Sequence, residues 1–468
     1  MSSARSGTSG RGQQNRGVIA DLPNIVFVHT DQQHHKALSA YGNSWIRTPC
    51  MDRVVAEGVS FMHTVVASPV CSSSRAAWFT GRMARESGVA ANSYPLAEHI
   101  PDLGQWLSKH TDYDVVHAGK WHVPSRNVRT SFSVLHPGHD QGEVGDSDTA
   151  RAGLAWLLNR KSERPFFLSI GLHNPHDACY LGWAEGGPYK FDYAGHIADE
   201  LPPLPESFDA AVAGRGKTAD WSTRDWRYYL YNYLRMTEMV DAEVGRLHEA
   251  VRRSPFSEDT IFVLASDHGD HIGHQGRIGK GLLYDAACRV PLVISWPGHF
   301  DEGRRDDEHL VSLIDLPATF CDLAGAPALP DATQPRSLRP LLEGQEGVAW
   351  REFSVAESAQ GPISVAIWDR RFKSVISSAG ARLYDLGRDP LEQRDLASDP
   401  AHASVLGRHR RHLKSYAAEI DCFRAPKDMS ARIEADRKHR GKRRQLYSRG
   451  DIYTPIATWY DALASGAR

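Results

Sequence analysis

The chain has 468 residues, 41% of them hydrophobic, with 55 Lys and Arg against 57 Asp and Glu. That length suits one large α/β domain plus a smaller unit, and the balanced charge gives no reason to expect nucleic acid or an anionic membrane as a partner. Six cysteines (Cys50, Cys71, Cys179, Cys288, Cys321 and Cys422) show no C-x-x-C spacing, which argues against a disulfide framework and a zinc ribbon.

Residues 1–22 are rich in Ser, Gly, Gln and Arg and lack the apolar stretch of a secretory signal, so they are expected to form a disordered leader. No apolar run approaches the roughly 20 residues of a membrane span, and a cytoplasmic protein without a membrane partner is the expectation. From Asn24 onward, short apolar runs alternate with amphipathic segments, the rhythm of a largely parallel sheet covered by helices. The first expected strand, Ile25 to His29, runs into Asp31 and Gln32. A helix follows with Thr48 as N-cap, Pro49 at its first position and Gly58 as its stop, and then a strand over Val59 to Val66.

In Pro69-Val-Cys-Ser-Ser-Ser-Arg-Ala-Ala-Trp-Phe-Thr-Gly-Arg82, three small hydroxyl residues after Cys71 suit a tight turn. The residues after them suit a helix whose free N–H groups face the thiol, so an anion is expected there. Taken alone, the cysteine reads better as a buried core thiol, and the rest of the chain has to decide. Further strands are expected at Asp114 to Ala118, ending in Lys120 and His122, and at Phe166 to Leu172, ending in His173. Between Asp177 and Tyr233 aromatics are dense (Tyr180, Trp183, Tyr189, Phe191, Tyr193, Trp221, Trp226, Tyr228, Tyr233) and divide between core and a wall for a sugar ring. A long helix spans Arg224 to Arg252. The strand Thr260 to Ala265 ends in Asp267 and His268, and another covers Val290 to Trp296.

Four strands thus end in metal-ligating or acid–base residues. Ligands of parallel α/β sheets bind beyond the carboxyl ends of strands, so these groups are expected to share one crevice. After a Pro- and Gly-rich stretch between Gly325 and Gly347, runs at Phe353 to Glu357, Ile363 to Trp368, Phe372 to Ile376 and Arg382 to Leu386 predict a small antiparallel sheet. The expected divisions are a catalytic domain over 23–345, a C-terminal α+β subdomain over 346–430 and a tail over 431–468 that carries the basic run Arg437 to Arg444.

Ordered motifs from Asn24 to about Ala397 carry a resemblance. They include Asn24-Ile-Val-Phe-Val-His-Thr-Asp-Gln-Gln33, Ser68-Pro-Val-Cys-Ser-Ser-Ser-Arg75 with Thr80-Gly-Arg82, and Gly119-Lys-Trp-His122. His173-Asn-Pro-His176, Ser266-Asp-His-Gly-Asp270, Gly279-Lys-Gly281, Arg289-Val-Pro-Leu-Val-Ile294 and Leu383-Tyr-Asp-Leu386 complete the series. The chain resembles the type I sulfatases of the alkaline phosphatase superfamily.

That resemblance implies a large, mostly parallel sheet flanked by helices, with a smaller C-terminal subdomain. It implies that Asp31, Gln32, Asp267 and His268, with the residue derived from Cys71, hold one divalent metal ion. Calcium is the usual ion in sulfatases, with Mn2+ or Mg2+ as alternatives and manganese favoured by related phosphonate and phosphodiester hydrolases. Cys71 would be oxidised to formylglycine by a sulfatase-maturing enzyme. The hydrated aldehyde then supplies the nucleophile, and its second hydroxyl permits release of sulfate by elimination.

Arg75, Lys120 and Lys280 match the cations that stabilise the sulfate's charge, His122 the base of the elimination, and His173 the donor to the leaving oxygen. His176 is a candidate to share that role, and His274 lines the loop near Lys280. The expected function is hydrolysis of a sulfate monoester or sulfamate on a carbohydrate. Asp31-Gln32 and Asp267-His268 leave a phosphonate monoester or phosphodiester hydrolase as the alternative. Ser73, which stands where the family's maturation signal has Pro or Ala, motivates a second alternative, a non-catalytic anion- or glycan-binding relative.

Overall fold

The computed structural model describes residues 22–181, 197, 199–332, 334–359 and 364–419. The expected leader and basic tail, Cys422, Trp183, Tyr189, Phe191 and Tyr193 lie outside the described residues. Eight strands form the large sheet: β1 (Asn24–Asp31), β2 (Gly58–Val65), β3 (Asp114–Gly119), β4 (Ser133–His136), β5 (Phe166–Pro175), β6 (Thr260–Ser266), β7 (Leu292–Ser295) and β8 (Arg304–Ser312). Their order is β4-β3-β5-β1-β6-β7-β2-β8. β1 lies between β5 and β6, parallel to both, and β7 runs antiparallel to β6 and β2. The sheet is therefore mostly parallel, as expected.

The central strands are buried on both faces, which explains their unbroken apolar runs. Alternation along β1 still sorts side chains between two layers. Ile25 and Phe27 join Trp78 and Phe320 on one face, while Val26 and Val28 join Val240, Val244 and Leu247 on the other. The helices that position the site are α1 (Pro49–Ala56), α2 (Cys71–Thr80), α3 (Gly142–Asn159) and α4 (Thr223–Arg253). Ser222 caps α4, accepting from the Asp225 N–H.

Three local expectations are corrected. Gly58 does not stop α1 in a left-handed cap but opens β2. A Cβ there would lie 2.6 Å from the Ile294 carbonyl oxygen on β7, so the glycine serves a close strand approach. Thr48 precedes α1 but gives no side-chain bond to its N–H groups; the hydroxyl donates to Asp52 instead. Ser72, Ser73 and Ser74 make no separate turn, because the Ser74 N–H already bonds the Val70 carbonyl as the first turn of α2.

The small sheet, β9 (Ser354–Ser358), β10 (Ser364–Trp368), β11 (Phe372–Ser377) and β12 (Gly380–Asp385), is antiparallel in the order β12-β11-β10-β9. It shares the main core through Ala356, Ala366 and Trp368. A polar seam also crosses the expected boundary at 345/346. Lys373 of β11, fully buried, donates to Asp285 at 2.8 Å and to Glu392 at 2.6 Å, and Glu392 accepts from the Asp285 N–H.

Candidate active site

β1 delivers Asp31 to the carboxyl end of the sheet, beside the bottom of α2 and the end of β6. The carboxylates of Asp31 and Asp267, the Cys71 sulfur and a His268 ring nitrogen all lie within 4.8 Å of one another, and all four residues are buried. Cys71 is the first residue of α2, and its Sγ is 3.1 Å from His268 Nε2 and 3.9 Å from Asp31 Oδ1. Two strand ends and one helix start therefore meet as the topology requires.

Arg75 sits one turn along α2 and is fully buried. Its Nε donates to Asp267 Oδ2 at 2.9 Å, one Nη to Asp31 Oδ2 at 3.2 Å and the other to the Lys120 carbonyl at 2.9 Å. Lys120 Nζ lies 2.6 Å from Asp31 Oδ2. Lys280, on the loop after β6, donates to the Gln32 side-chain oxygen. Two carboxylates thus face three cations, a surplus of positive charge suited to an anion.

Burial alone would raise Asp31, but Lys120, His176, Lys280 and Arg75 together overcome it and hold the carboxyl well below its ordinary range. Burial and then Asp31 push Asp267 the other way. Burial and Asp31 also oppose ionisation of the Cys71 thiol, yet Lys280 and His268 bring it below the usual thiol range. Burial would lower His268, and Asp267 outweighs it to raise the ring.

The donor set fits a divalent ion. His268 Nδ1 faces the Gly269 carbonyl at 2.9 Å, so that nitrogen carries the proton and the bare Nε2 points into the cluster. Two carboxylates supply hard oxygens beside it. Gln32 has φ 70, a left-handed backbone unusual for a non-glycine residue. It is pinned by its N–H on Asp267 Oδ1 at 3.0 Å and by the Tyr233 hydroxyl, which donates to its carbonyl at 2.6 Å. Its side-chain amide donates to Asp270 and its oxygen accepts from Lys280, so Gln32 links the cluster to both.

His122 follows Lys120 with φ 55, and Lys120 is tied by its N–H to Gly171 of β5 at 2.8 Å. His173 and His176 pack edge to face with centroids 4.6 Å apart, and Asp177 approaches the His173 ring at 3.5 Å. Neither ring nitrogen of His173 has a hydrogen-bond partner. Burial, followed by Lys120, keeps this ring well below the ordinary imidazole range, and burial followed by Lys280 does the same for His176. The backbone N–H groups of His173 and Asn174 are both held by the buried Asp146 carboxylate. His274 is not brought to the cluster. Its ring stacks on His34 at 5.6 Å and its Nδ1 meets Ser207 Oγ at 2.6 Å.

Sequence reasoning gave Asp270 and Asp146 no role and placed Tyr229 and Tyr233 only in the aromatic stretch. Asp270 stood in the Ser266-Asp-His-Gly-Asp270 run, where its acid character was a signal. It accepts from Gln32 and from the Tyr229 hydroxyl at 3.2 Å. Of the aromatic stretch, Trp226, Tyr229 and Tyr233 are core, while Tyr180 is exposed and donates to the Asp140 carbonyl at 2.6 Å.

Comparison with known proteins agrees with this arrangement. Residues 23–326 match the family described as Sulfatase, and residues 273–419 match the one described as N-sulphoglucosamine sulphohydrolase, C-terminal. The chain is 28% identical over 456 residues to a Delta 4,5-hexuronate-2-O-sulfatase of Bacteroides thetaiotaomicron, covering 89% of this chain and 92% of that one. A solved 2-O GAG sulfatase aligns with TM-score 0.74 at 25% identity over 87% of this chain and 96% of the other. The phosphonate monoester hydrolase of Agrobacterium radiobacter shares the fold, with TM-score 0.72 at 24% identity over 85% and 96% of the two chains. The chain belongs to the type I sulfatase family of the alkaline phosphatase superfamily and is a sulfuric ester hydrolase.

Proposed function

We propose that the protein is a metal-dependent carbohydrate sulfatase that works through formylglycine at position 71, with Ca2+ as its ion. The observation that carries this reading is the convergence of Asp31, Cys71, Asp267 and His268 with Arg75, Lys120 and Lys280 at one buried point. When present, the ion supplies Lewis acidity toward the sulfate oxygens and formylglycine supplies a hydrated aldehyde as nucleophile.

The chain's own residues do the rest. Arg75 fixes the two carboxylates, so the ligand oxygens keep their places without an ion. Lys120 and Lys280 take the non-bridging sulfate oxygens and stabilise charge that grows as the S–O bond breaks. His173, held neutral by burial, donates a hydrogen bond to the departing sugar oxygen, and His122 removes a proton in the release of sulfate. A sugar as the leaving group is supported by the hexuronate sulfatase relative.

The test is the mass of the Cys71 peptide from protein made in its own host, followed by turnover of sulfated monosaccharides with Ca2+ or Mn2+. A peptide lighter than the cysteine form and Ca2+-supported sulfate release are expected. An unmodified Cys71 in active protein, or dominant hydrolysis of aryl phosphonates, would overturn the reading.

A further inference from the structure

Lys280 belongs to the loop between β6 and β7 of the large sheet, and a second feature of this loop, where it meets the small sheet, has no part in the catalytic cluster. A pocket of about 190 Å³ lies between the loop and the small sheet, walled by Arg277, Gly281 and Tyr284 on one side and by Val375, Arg382 and Tyr384 on the other. Gly281 is the next residue after Lys280, so pocket and cluster share a stretch of backbone, about 3.8 Å from one Cα to the next. That stretch is fixed, because Ser358 Oγ of β9 donates to the Gly281 carbonyl at 2.6 Å.

Among the described residues, no aspartate or glutamate lines this pocket. Arg382 donates to the Tyr284 hydroxyl at 2.8 Å, with its guanidinium 5.9 Å from the centroid of that ring. Arg277 Nε is buried without a hydrogen-bond partner. Among the described residues, neither guanidinium is paired with a carboxylate.

The two larger clefts, unlike this one, have carboxylates among their lining residues. In one of about 590 Å³, Arg351, Arg371 and Arg408 pair with Asp315, Asp385 and Asp369. In one of about 730 Å³, Arg160 and Arg164 both pair with Asp114. Two like charges brought to one small pocket repel unless an anion joins them. A planar guanidinium fork matches carboxylate and sulfate oxygens better than any other side chain.

We infer that this pocket is a subsite for a second anionic group of the substrate, a carboxylate or a further sulfate, gripped by Arg277 and Arg382 while the reacting sulfate lies at residue 71. The inference rests on the carbohydrate sulfatase reading and narrows its substrates to acidic saccharides. The Tyr284 and Tyr384 hydroxyls complete the grip, and burial pushes the Tyr384 phenol upward.

Arg277→Ala, Arg382→Ala, the double variant and the two lysine replacements would be compared with the unaltered, matured enzyme on three sulfates. These are an unsaturated 2-O-sulfated hexuronate, glucosamine 2-N,6-O-disulfate and N-acetylglucosamine 6-sulfate, the last lacking a second anion. Each alanine variant is expected to raise KM by about 10-fold on the carboxylate or the disulfate substrate, with kcat within about 2-fold. KM for N-acetylglucosamine 6-sulfate should not move, and lysine should restore part of the loss. Which acidic substrate responds identifies the group that is held.

Equal KM values on all three substrates would overturn the subsite, and so would a matching loss on N-acetylglucosamine 6-sulfate. Absence of sulfate release from any substrate by the unaltered matured enzyme would instead overturn the sulfatase reading beneath it. Thermal unfolding of each variant separates a lost contact from a lost fold.

Discussion

Arg75, fully buried, and Lys280, half-buried, are both cations of the cluster, and their different partners predict different failures. Arg75 answers two fully buried carboxylates. Arg75→Ala leaves Asp267 without its arginine and Asp31 with Lys120 alone, which costs about 3–5 kcal/mol, so a large fall in Tm should accompany loss of activity. Lys280 meets a neutral amide oxygen on Gln32. Lys280→Met should lower kcat by about 10²–10³-fold while Tm stays within a few degrees, as measured by steady-state kinetics and differential scanning calorimetry. A comparable collapse of both variants would show that Lys280 has a structural role as well. Asp31, Cys71, Lys120 and Asp267 were legible because each ends or directly follows a strand or opens a helix. Tyr233 was not, since its partner Gln32 lies 201 positions away and nothing local to either marks the pairing.

At the scale of elements, α4 does more than cover the sheet. Tyr233 both donates to the Gln32 carbonyl and accepts from the His34 N–H at 2.7 Å, so one turn of this helix holds a strained turn of the active site. Tyr233→Phe should cost about 1–3 kcal/mol in chemical denaturation. It should also weaken ion retention, read by metal analysis after dialysis; full retention would detach the helix from the site. The strands that sequence patterns reveal are the ones with long apolar runs. β4 is four residues long, and β8 begins Arg-Arg-Asp-Asp-Glu-His at the sheet edge, where charge is tolerated on exposed backbone. Neither presents a local apolar signal.

For the molecule as a whole, histidine burial sets the response to acid. Burial holds His117 and His271 to about 3 and His274 to about 4, all below the ordinary value of about 6.5. The unfolded chain therefore takes up these protons first. Their contribution to stability is complete above about pH 6.5 and is lost as pH falls toward 4, at about 1.4 kcal/mol per group per pH unit. Asp146 and Glu392, each raised to about 7 by burial, act in the opposite direction, since the folded state binds their protons more readily. His29, His34, His35, His173 and His176 are also held low by burial, so the histidines prevail. The urea midpoint should drop from pH 7.5 to pH 5; a midpoint that rises would reverse the assignment.

The Lys373 seam bears on how such a protein is assembled from parts. Lys373 and Glu392 come from the small-sheet region, but Asp285 comes from the segment that also carries Lys280. A chimera joined at 345 would import Lys373 and Glu392 without their native Asp285 and break the seam in the core. A chimera joined near 273, where the C-terminal family match begins, would carry the seam, Lys280 and Arg277 as one inherited piece. Recombination at that point could exchange substrate preference without disturbing Asp31, Cys71, Asp267 or His268.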